Sequence, residues 1–151
     1  MENTKTFMFK LLKSDMFDNF EVRSVIITTF TTFEIHCDYN NDFFNDIIDE
    51  EKENRKICLW KDIKSYVFDI IKGNNMPQNI KIVFCLDKKS IEKICQNSSA
   101  MFLNILFENK TLKIITGFSQ REFDIDKSGE YEWDKYVKKF LYNNNIISTQ
   151  Y

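Results

Sequence analysis

The chain has 151 residues and a mass of 18.2 kDa, which suits one domain. At 43% hydrophobic and 29% charged, with three Gly and one Pro, it is globular in composition and excludes disordered, collagen-like and linker classes. A single histidine, His36, rules out chemistry that needs two, and a net charge of −2 gives no bulk attraction to nucleic acid or anionic lipid.

Phe7, Met8, Leu11 and Leu12 share a helical face and predict a helix over 4–14, with Asn3 or Thr4 as its cap. Its charge is carried by Lys5, Lys10 and Lys13. Residues 21–29 are rich in β-branched side chains and predict a strand. A second strand over 31–37 places Phe33, Ile35 and Cys37 on one face and Thr32, Glu34 and His36 on the other. The run Thr28-Thr29-Phe30-Thr31-Thr32 between them is either a turn or a polar binding surface of four hydroxyls about one ring. A third apolar stretch falls at Phe43-Phe44 and Ile47-Ile48, followed by a charge run over 49–56 that predicts a loop.

Trp60, Ile63, Val67, Ile70 and Ile71 mark a second helix that ends at Gly73. Ile80, Ile82, Phe84 and Leu86 alternate as a strand, and Asp87 caps a short helix carrying Lys88, Lys89 and Lys93. Residues 101–108 and 111–116 predict a hairpin turning at Asn109-Lys110. Gly117 permits an irregular bend, and residues 121–125 predict one more strand. A last helix begins near Ser128 and is expected to bury Trp133, Tyr136, Val137, Phe140 and Leu141. The fold expected is α+β, an antiparallel sheet with three or four packed helices. A single domain covers 1–151, ending in a short polar tail at 143–151. The second half reads as a βαβββ unit.

Two resemblances follow from these segments. Phe17-Asp18-Asn19-Phe20, residues 27–35, Phe68-Asp69-Ile70-Ile71-Lys72-Gly73, Lys81-Ile82-Val83-Phe84, residues 112–117 and the region from Phe123 to Trp133 resemble a bacterial family of about this length with no assigned function. The resemblance covers nearly the whole chain and brings no catalytic residues. It departs at the start, where the family resembles a chain with an extra strand before the first helix. The order of strand, short helix, hairpin and strand is also similar to the repeating unit of DNA sliding clamps, whose helices face DNA through lysines. That resemblance implies one DNA-facing surface made by Lys5, Lys10, Lys13, Lys88, Lys89 and Lys93. A solvated helix face explains the same lysines without DNA.

Cys37, Cys58, Cys85 and Cys95 have no C-x-x-C spacing and read as small buried hydrophobes. The start lacks the apolar run of a signal peptide, and no apolar stretch reaches the roughly 20 residues of a membrane span. A cytoplasmic chain with reduced thiols and no membrane contact is expected. Nucleotide-binding glycine loops and the G-x-S-x-G elbow are absent from the sequence. Arg121, one of three arginines, is a candidate for bidentate contact with carboxylate or phosphate, against a structural salt bridge. The leading expectation is a non-enzymatic binding module without cofactor or metal. Its partner is a protein or nucleic acid, and a homo-oligomer is allowed. The alternative is a small hydrolase or metal-dependent enzyme using His36, Glu34 and the carboxylates Asp124 and Asp126.

Overall fold

Five antiparallel strands form one sheet in the order β2-β1-β3-β4-β5 in the computed structural model, which describes residues 2–40, 56–73 and 76–147. In chain order the elements are α1 (Glu2–Lys13), β1 (Glu21–Thr28), β2 (Thr32–His36), α2 (Trp60–Lys72), β3 (Asn79–Cys85), α3 (Lys88–Ile94), β4 (Ser98–Glu108), β5 (Thr111–Gln120) and α4 (Ser128–Asn143). The described residues thus form the expected α+β class, an antiparallel sheet with four helices.

Period-two alternation decides which face is covered. Ile35, Val25, Ile82, Ile105 and Ile114 lie in register across all five strands. The next row, Glu34, Ile26, Lys81, Leu106 and Lys113, points the other way. Val25, Ile82 and Ile105 are buried in one core with Phe7 and Leu11 of α1, Trp60 and Val67 of α2, Ile91 of α3, and Trp133, Val137 and Leu141 of α4. All four helices thus cover one face of the sheet. Each such aliphatic or aromatic side chain contributes roughly 1.5–3 kcal/mol on full burial. An aromatic cluster fills the centre. Phe17 stacks on Phe84 at 5.2 Å, and Trp60 meets Phe84 edge-on at 5.3 Å. Both indoles are satisfied, Trp60 donating to the Leu11 carbonyl and Trp133 to that of Phe102.

Three expectations need correction or placement. Residues 121–127 form a loop, not a strand, so the βαβββ unit stops at βαββ. Side chains hold that loop: Gln120 donates to the Asp126 carbonyl and accepts from the Asp124 amide, while Asn97 clamps Glu122. Gly117 is no bend. It sits inside β5, where an added Cβ would lie 3.3 Å from Cβ of Phe102 across the ladder. The apolar stretch at 43–48 and the charge run up to residue 55 lie outside the described residues, as does the tail beyond residue 147.

Candidate functional site

The candidates from sequence divide between the two ends of the helical layer. On α1, Lys10 donates to the Asn144 carbonyl, and the Lys13 ammonium stands 3.5 Å from the centre of the Phe68 ring. These two lysines serve packing, while Lys5 is exposed. On α3, Lys88, Lys89 and Lys93 are all exposed. Asp87 caps that helix by accepting from the Ser90 amide at 3.2 Å and its hydroxyl at 2.6 Å. Arg121 is half-exposed and stands 3.7 Å from Glu92.

The grouping of His36 with Asp124 is not assembled. His36 and Glu34 face the open side of β2 at one edge of the sheet, whereas Asp124 follows β5 at the other. Asp124 and Asp126 are occupied in turn geometry. Asp124 accepts from the Asp126 amide, and Asp126 accepts from the amide and hydroxyl of Ser128, which lowers its pKa. No group of three metal-ligating side chains occurs among the described residues. The Thr28–Thr32 run is the turn from β1 to β2, closed by Thr29 N–H to the Thr31 carbonyl at 2.8 Å.

Chemistry gathers instead in a cleft of about 590 Å³. It lies at the end of the sheet where β1 and β4 begin and β3 and β5 end. Two β-bulges shape it. The β1–β3 register passes from Val22/Phe84 to Ser24/Val83, which leaves Arg23 as an extra residue. The β4–β5 register passes from Ser98/Gln120 to Ala100/Ser119, which leaves Ser99 extra. A bulge re-aims its side chain, and both Arg23 and Ser99 line the cleft. Ser98 beneath is fully buried and donates to backbone carbonyls at Ala100 and Ser119.

Lys88 enters from the first position of α3, and Arg121 from the residue after β5. The Arg121 amide donates to the Asn97 carbonyl at 2.7 Å, which fixes where its side chain starts. Lys56 and Ile57 form the remaining wall. Their segment pairs with Asp38 on one side, and at Leu59 it passes over to Glu21. The lining therefore holds four cations, Arg23, Lys56, Lys88 and Arg121, against one carboxylate, Glu21. Ile57, Leu86 and Ile91 supply an apolar part. Burial pushes the Cys85 thiol up, and a hydrogen bond from Arg23 opposes the rise. A thiol held protonated is a poor nucleophile.

Lys88 and Arg121 are the two sequence candidates that this cleft brings together; Lys5, Lys10, Lys13, Lys89 and Lys93 do not line it. Arg23 and Lys56 went unnoticed in the sequence. The available signal for Arg23 was the three-residue spacing of Val22 and Val25 inside a strand, which marks a bulge.

Residues 10–148 match a single family model, a span that contains the whole cleft and the last turn of α1. The chain belongs to the family of unknown function DUF5721. The resemblance read from the sequence pointed to a family of this size, and the DUF5721 match covers the same segments. No curated protein and no solved structure matches the chain. No helix among the described residues of this DUF5721 member is long and apolar enough to cross a membrane.

Proposed function

We propose that this chain is a non-enzymatic, cytoplasmic binding module that takes a phosphate-bearing partner in the basic cleft. One observation carries the reading: four cations and one carboxylate share one concave site in a chain whose net charge is −2. With Glu21 in the lining and Glu92 paired to Arg121 at 3.7 Å, the cations remain in excess, which suits an anion of more than one charge. Two of the four cations are arginines, whose planar forks match phosphate oxygens in pairs. The volume falls within the range of roughly 300–1,000 Å³ typical of ligand sites. Ile57, Leu86 and Ile91 suit the uncharged part of such a group. The lining contains no histidine and no carboxylate pair, so it offers binding without an acid–base couple.

The test is an NMR titration of the ¹⁵N-labelled chain with a short single-stranded oligonucleotide and, separately, with an acidic peptide. The reading expects amide shifts at Arg23, Lys88, Ser99 and Arg121 with the oligonucleotide, shrinking as salt rises. Shifts with the acidic peptide alone, or none with either probe, overturn it.

A clamp-like contact with duplex DNA through the exposed lysines Lys5, Lys88, Lys89 and Lys93 is the second reading; α1 and α3 lie on the same face of the sheet, while Lys10 and Lys13 are taken up in packing. Charge reversal separates the two. Lys5→Glu with Lys89→Glu and Lys93→Glu abolishes DNA retention under the clamp reading. Arg23→Glu with Arg121→Glu abolishes it under the cleft reading.

A further inference from the structure

Cys37 and Cys58 face each other across two neighbouring extended segments. Asp38 pairs with Ile57 in antiparallel register, and one step along both segments sets Cys37 against Cys58. The backbone fixes that step, since the Cys58 amide donates to the Cys37 carbonyl at 2.7 Å. Opposed residues of an antiparallel ladder share a face, with Cα atoms about 4.5–5.5 Å apart. A disulfide spans Cα separations of about 4.4–6.8 Å. Both side chains turn to the core. Cys37 is 1% exposed, and Cys58 is half-buried against the same cluster. Both are free thiols.

We propose that Cys37 and Cys58 are a reversible redox pair, a disulfide modification site that ties the end of β2 to the segment leading into α2. The oxidant is a low-molecular-weight disulfide. Cys58, the more accessible thiol, attacks first. Its thiolate displaces one sulfur of the reagent, which leaves a mixed disulfide on Cys58 and one released thiol. Cys37 Sγ then attacks Cys58 Sγ, the mixed bond breaks, and a second thiol leaves. The protein gives up two electrons and two protons, and the reagent is reduced to two thiols. The link would fix the strand that carries Lys56 and Ile57, which immediately precede Cys58. Burial raises both thiols; Cys58 and Asp38 help push Cys37 up to about 12, and Asp62 and Asp38 help raise Cys58. The thiolate is the attacking form, so oxidation is slow at neutral pH and gains about tenfold per pH unit below the Cys58 pKa.

The experiment incubates the folded chain with oxidised glutathione, blocks remaining thiols with an alkylating agent, and maps peptides by mass spectrometry. The expected product is a Cys37–Cys58 link with Cys85 and Cys95 alkylated, reversed by dithiothreitol and faster at pH 9 than at pH 7. In Cys37→Ala the reaction stops with glutathione on Cys58, and in Cys58→Ala no link forms. A wild-type map showing glutathione retained on Cys58, or both cysteines recovered alkylated at saturating reagent, overturns the proposal. The wild-type map decides the matter even if a variant fails to fold.

Discussion

Arg23 and Ser99 reach the cleft for the same reason. Each is the unmatched residue of a bulge, and each interrupts an alternation at the same end of the sheet. Removing one charge-assisted contact to a bound anion costs roughly 1.5–3 kcal/mol, so Arg23→Ala is expected to weaken oligonucleotide binding roughly tenfold or more without altering the fold, as read by titration and circular dichroism. Cys37 makes a second prediction. An ordinary thiol ionises near 9, but burial, with Cys58 and Asp38, pushes this one up to about 12. Between those values the unfolded chain has lost a proton that the folded chain keeps. Stability is therefore fully present below about pH 9 and falls as pH rises toward about 12. Urea midpoints measured across that window are expected to fall less steeply for Cys37→Ala than for the wild type. Equal slopes contradict this assignment. Legibility at this scale was uneven. Lys88 and Arg121 were visible as charges beside breaks in structure, whereas Arg23 looked like an ordinary polar position of a strand. The clue lay in Val22 and Val25 sharing a face at an odd spacing, and Ser98 and Met101 repeat it in β4.

Among the elements, two local chemical signals match the structure, whereas the expected cap at Asn3 or Thr4 falls inside α1, which begins at Glu2. Asp87 capped α3 as expected. Asn109 and Lys110 formed the two-residue turn of the β4–β5 hairpin, with φ of 50° and 61°. Left-handed backbone suits Gly far better than Lys at the second position. Lys110→Gly is expected to stabilise the chain by about 0.5–1 kcal/mol, seen as a raised denaturation midpoint. An unchanged or lowered midpoint contradicts the turn assignment. The 121–127 segment misled because its alternation of Phe123 and Ile125 imitates a strand. Hydrogen bonds from Asn97 and Gln120 decide otherwise, and both apolar side chains end up exposed. Gly129 illustrates what only packing reveals. It is buried where α4 meets α3, and an added Cβ would lie 2.7 Å from Sγ of Cys95 and 2.8 Å from Cζ of Phe118. Gly129→Ala is expected to cost roughly 1–3 kcal/mol through overpacking, measured by chemical denaturation. A neutral result would mean that the Cys95 and Phe118 side chains move aside freely.

For the whole molecule, one-sided packing is the organising fact. Alternation in β1, β3 and β4 sends Val25, Ile82 and Ile105 to one face, which the four described helices bury, and leaves Ile26 and Leu106 on the other. The α+β class followed from periodicity alone. The strand order did not, because pairing β3 between β1 and β4 depends on contacts far apart in sequence. That order brings together the start of β1, the end of β3, the start of β4 and the residue after β5. It also carries His36 and Asp124 to opposite edges. The basic cleft is thus a product of topology, which is why its four cations come from distant positions. Their joint action is tested most directly by the affinity of wild type and of Arg23→Glu with Arg121→Glu for the same short oligonucleotide, measured by fluorescence anisotropy at several salt concentrations. The account predicts saturable, salt-sensitive binding by the wild type and its loss in the double variant. Equal affinity in both proteins, or no saturable binding by the wild type at low salt, contradicts it.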